Sequence, residues 1–161
     1  MRFFVCCAFP NPMPRLTNTI QLYALCKSED ERALIHEELK NILKQPRDVQ
    51  LEVVADDTRV HKKYDPIYSL TARLYTQPEQ RAFIKYLQTN LSEEHKKRLR
   101  SEASKHVDER ENFFFRLDKQ AFINGECLHV LRGDVIQVRV NLCAHPKTRE
   151  NVLECISELL A

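Results

Sequence analysis

Glycine is nearly absent from this chain: Gly125 and Gly133 are the only two among 161 residues. Loops that cradle phosphate with backbone amides need several glycines at fixed spacing, so neither G-x-x-x-x-G-K nor G-x-G-x-x-G can be written here. Tryptophan is missing altogether. The six cysteines, Cys6, Cys7, Cys26, Cys127, Cys143 and Cys155, form no C-x-x-C, and no histidine stands where it would complete a zinc site. Cys26, Cys143 and Cys155 fall in apolar runs, which predicts buried reduced thiols and suits a reducing cytoplasm. No metal or cofactor is expected. Nor is there an apolar run long enough to span a bilayer. Pro10, Pro12 and Pro14 interrupt the opening MRFFVCCAF before a secretory core is complete, so no membrane partner is expected. A charge surplus is lacking too. With 25 Lys and Arg against 23 Asp and Glu the formal charge is +2, and a basic surface can come only from local arrangement.

What remains is ample apolar content, 43% of residues, enough for one buried core in a chain of single-domain length. Residues 1–16 read as a proline-broken lead-in of unassigned order, and 17–161 as a single α+β domain. From Asn18, Ile20, Leu22, Ala24 and Cys26 alternate with polar residues as a strand does. Ser28 and Glu31 then make a capping box for a helix reaching about Leu43. Gln50–Val60 predicts a second strand and Ile67–Tyr75 a third. Pro78 opens a helix, Ser92 caps another, and the latter, SEEHKKRLRSEASKHV, carries a narrow stripe of Leu99, Ala103 and Val107 among Lys96, Lys97, Arg98, Arg100 and Lys105. A solvated charged face and a nucleic-acid footprint both fit that pattern.

The densest signal is NFFFRLDKQAFIN, Asn112–Asn124. On a strand, Phe113, Phe115 and Leu117 share one face, while Phe114, Arg116 and Asp118 share the other. The first face is core. The second sets a ring beside a guanidinium, with Lys119 and Gln120 following. Two readings fit: an amphipathic strand in which Arg116 pairs with Asp118, or phosphate contact with base stacking. Asn124-Gly125 then signals a hairpin into a strand at Cys127–Val130, and Val135–Ala144 is the most strand-like run, with Gln137, Arg139 and Asn141 facing away from Val138, Val140 and Leu142. A closing helix begins at Pro146. The expected order is β-α-β-β-α-α-β-β-β-α, a largely antiparallel sheet covered by helices.

Residues Asp108–Glu126, centred on FFFRLDKQAFINGE, resemble the signature of a family of small archaeal RNA-binding proteins described as exosome-associated. His61-Lys62-Lys63-Tyr64-Asp65-Pro66-Ile67 is similar to that family's loop, which carries glycines where Lys62 and Asp65 stand here. The resemblance implies the fold of the ribosomal protein that binds 5S RNA, and a non-catalytic role with RNA and exosome or other RNA-processing proteins as partners. It favours RNA contacts by Arg116, Lys119 and Gln120, with a basic rim of His61, Lys62, Lys63 and Arg100. Two rivals stand beside it. A nuclease would need paired carboxylates, yet adjacent Asp56 and Asp57 point to opposite faces of a strand unless a bulge intervenes. A docking or homodimerisation module would use exposed strand edges and the charged helix instead.

Overall fold

Alternation beginning at Thr17 builds β1, Thr17–Cys26, and every second side chain from Ile20 to Cys26 is buried. The computed structural model describes residues 15–44 and 68–161. The other elements are α1 Glu29–Leu43, β2 Tyr68–Leu74, α2 Gln77–Asn90, α3 Glu93–Glu102 with a 3-10 turn at Ala103–Lys105, β3 Asn112–Asp118, α4 Lys119–Ile123, β4 Val135–Leu142 and α5 Arg149–Leu159. The strands form one antiparallel sheet in the order β2-β1-β4-β3. Helical residues Ile35, Leu39, Phe83, Leu87, Leu99 and Ile156 join Ile20, Leu22, Phe113, Phe115, Val138 and Val140 in one buried cluster. The helices therefore cover a single face of the sheet, and the α+β class holds.

Local chemistry accounts for the helix starts. Ser28 Oγ accepts from Glu31 N–H at 3.1 Å, but the Glu31 carboxylate turns to Lys27 N–H, 2.7 Å away, rather than to the cap residue. Thr76 and Glu79 form the reciprocal capping box at α2. Thr148, not Pro146, caps α5, because the Thr148 hydroxyl can accept from Asn151 N–H.

Two departures concern the region after β3. The predicted Cys127–Val130 strand is instead an isolated antiparallel bridge between Leu117 and His129, flanked by hydrogen bonds from Asp118 N–H to the Leu128 carbonyl and from Val130 N–H to the Arg116 carbonyl. The turn signal ahead of it serves a helix. Asn124 ends α4, Gly125 has φ +80, and Gly125 and Glu126 N–H donate to the Phe122 and Ala121 carbonyls, the Schellman arrangement. The predicted Gln50–Val60 strand and the 1–16 lead-in's first 14 residues lie outside the described residues.

Candidate nucleic-acid interface

Opposite the helices, the antiparallel register lines up two rows of side chains across the sheet. Arg73, Gln21, Arg139 and Phe114 stand side by side on β2, β1, β4 and β3, and Thr71, Tyr23, Gln137 and Arg116 form the next row. Neighbours in such rows approach closely enough to act together. Phe114, Arg116, Gln137 and Arg139 are exposed, with 41% of Phe114 open to solvent. A ring, two guanidiniums and a carboxamide thus share one accessible patch. Below it, a polar ladder closes the sheet's end. Asn18 donates to Asn141 Oδ1 at 2.9 Å, Asn141 to Asn112 Oδ1 at 3.0 Å, and Asn112 to Asp108 Oδ2 at 2.9 Å. Partial burial works against the Asp108 charge, but the bonds from Asn112 and the Arg110 N–H hold its carboxyl below the usual range.

The RLDKQ motif divides. Arg116 does not pair with Asp118. Its guanidinium donates to the Leu131 carbonyl at 2.8 Å, which fixes the side chain while leaving most of its donors available. Asp118 caps α4, accepting from Ala121 N–H at 2.8 Å. Lys119 is the correction. Being the first residue of a helix rather than the next residue of a strand, it turns inward and is wholly buried. Its ammonium meets Asp134 Oδ1 at 2.6 Å, Glu31 Oε2 at 3.2 Å and the Leu25 carbonyl at 2.6 Å. Burial alone would lower its pKa, yet the bonds to Asp134 and Glu31 raise it. With three acceptors satisfied, Lys119 has no donor for a phosphate. Gln120 stays exposed and reaches Glu31 at 3.4 Å. Arg100 is half-buried in the helical layer, where its guanidinium caps α5 through the Leu160 carbonyl at 2.9 Å. His61, Lys62 and Lys63 lie outside the described residues.

Of the patch residues, sequence reasoning singled out Phe114 and Arg116 but passed over Gln137 and Arg139. Their outward alternation was visible; their position beside β3 was not, because strand order decides it.

A family model described as RNA binding matches residues 19–142. The chain belongs to that RNA-binding family. The match runs from β1 to β4 and so contains both side-chain rows. The RNA-binding protein PAB1135 of Pyrococcus abyssi is 33% identical over 115 residues, 71% of this chain and 73% of its own length. Two solved structures share the fold. Protein AF2318 from Archaeoglobus fulgidus superposes with a TM-score of 0.70 at 24% identity, covering 92% of this chain and 100% of that one. The DUF54 protein Mth689 from Methanothermobacter thermautotrophicus gives 0.67 at 24% identity, covering 91% and 99%.

Proposed function

We propose that the protein binds RNA without cutting it, through the open sheet face at β3 and β4. The carrying observation is the placement of Arg116 and Arg139 on the same exposed patch as Phe114 and Gln137. Guanidiniums supply charge-assisted, often bidentate, contacts to phosphate, and an exposed ring offers a stacking face. Gln120, in α4, stands outside this patch, its carboxamide donating to Glu31 of α1 at 3.4 Å. The family match and the name of the Pyrococcus relative support RNA as the ligand. Work within an exosome-type assembly, a cytoplasmic setting and a fold shared with the 5S-RNA-binding ribosomal protein belong to the same proposal and are supported by the resemblance of residues 108–126.

Fluorescence anisotropy of labelled RNA across a salt series tests it. The parent should bind more weakly as salt rises, and Arg116→Ala with Arg139→Ala should flatten the slope of log Kd against log salt by roughly 0.7 per lost phosphate contact on a single strand. Labelled RNA incubated with the protein and magnesium should keep its length. A double variant with the parent's affinity and slope would remove the patch from the binding surface.

A further inference from the structure

β3 is the outer strand of the sheet, and its free edge is met at two points only among the described residues. Val107 bridges Phe113, with Phe114 N–H donating to the His106 carbonyl at 2.9 Å, and His129 bridges Leu117. Between these bridges lies a cavity of about 280 Å³ whose walls include His106, Phe114, Arg116, His129, Leu131 and Gln137. Strand alternation turns the Phe114 carbonyl and the Arg116 N–H to this edge, and neither has a backbone partner among the described residues.

The walls are prepared for a polar, flat ligand. His129 is buried and its Nδ1 has no hydrogen-bond partner among the described residues. Burial, and then the neighbouring His95, push its pKa down to about 4, so the ring is neutral near pH 7 and does not repel the cation beside it. Arg116 is tethered by the Leu131 carbonyl, which presets it at the cavity mouth. The volume falls just below the roughly 300–1,000 Å³ typical of small-molecule sites, suited to one ring system. Among the described residues the open edge spans Phe114 to Arg116. An added peptide strand needs a longer run of free edge; a planar base, with donors and acceptors in its own plane, does not.

We propose that this cavity seats one unpaired base of single-stranded RNA, stacked against Phe114 with its polar edge toward the main-chain groups of the gap, and with the adjoining phosphate on Arg116. The inference rests on the RNA-binding reading and narrows it to unpaired RNA. In a duplex the base edges are already paired and the faces already stacked, so they cannot enter.

The absence of tryptophan makes the test clean. Phe114→Trp introduces a single tryptophan at the cavity, excited selectively over the tyrosines and titrated with a short single-stranded RNA, the same sequence as a duplex, and a strand carrying abasic sugars. Quenching by the intact single strand alone is expected. In parallel, anisotropy with Phe114→Leu should show about a tenfold loss for the single strand, within the range of one stacked base, with an unchanged salt slope. Equal quenching by duplex and single strand, or single-strand binding untouched by Phe114→Leu, overturns the base seat while leaving RNA binding by the patch intact; the second result is also what a peptide-binding edge would give. A parent protein that binds no RNA overturns both readings together. Phe114 is two-fifths exposed, so both variants should fold, and a melting curve matching the parent's confirms that they do.

Discussion

Lys119 shows how one residue's role depends on where its neighbour ends a strand. In sequence it follows an exposed Arg and a half-buried Asp; in space it sits under α1, bridging Glu31 and Asp134. Glu31 is largely buried, whereas Asp134 keeps 40% of its side chain in solvent, so the cluster is only partly screened. Removing one partner of a buried ion pair strands the other charge, at about 3–5 kcal/mol when both are buried; the exposure of Asp134 brings the expectation here to about 2–4 kcal/mol. Lys119→Met should therefore lower the urea midpoint strongly, with RNA affinity unchanged at temperatures where the variant is folded. A phosphate-contacting Lys119 would give the reverse, weaker RNA binding and an unmoved midpoint.

At the scale of elements, the turn between α4 and the 128–131 segment holds the cavity wall in place. Its geometry depends on Gly125, the C-terminal cap residue with φ +80. A Cβ there would meet nothing nearer than Glu38 Oε1 at 3.9 Å, so Gly125→Ala adds no clash and isolates the backbone term. The left-handed conformation costs an L-residue roughly 1–2 kcal/mol, which in a domain of this size corresponds to about 2–8 °C in Tm. Gly125→Asn should lose less than Gly125→Ala, since asparagine tolerates that region better. Equal melting of all three proteins would show that the cap does not constrain this turn.

For the molecule as a whole, the buried histidine makes stability depend on pH. His129 in the fold has a pKa of about 4 because burial, foremost, and the charges of His95, Arg98 and His106 oppose its protonation. In the unfolded chain it returns to about 6.5. The unfolded state therefore binds the proton first, so this contribution is fully present above about pH 6.5 and is lost as pH falls toward 4. The full difference is on the order of 3 kcal/mol. Thermal melts between pH 7 and pH 4 should show a falling Tm, and His129→Gln should flatten that fall. A residual slope is expected from His36, whose pKa burial also lowers. Parallel curves for parent and variant would show that His129 is not the controlling group.

Periodicity by itself determined the core and the class. Strand alternation assigns Phe113, Phe115, Leu117, Val138, Val140 and Leu142 inward, and all are buried, since apolar burial dominates where a side chain goes. The resemblance of residues 108–126 anticipated the family. Tertiary structure decided the rest. Whether Lys119 points out or in depends on the strand ending at Asp118, whose carboxylate serves as a helix cap; local propensity weighs both outcomes alike, and the acceptors waiting at Glu31, Asp134 and Leu25 come from distant parts of the chain. The partnership of Phe114 with Arg139 and of Arg116 with Gln137 depends likewise on β3 pairing with β4. Alternation sorts residues onto faces, but long-range strand order decides which residues of a face become neighbours.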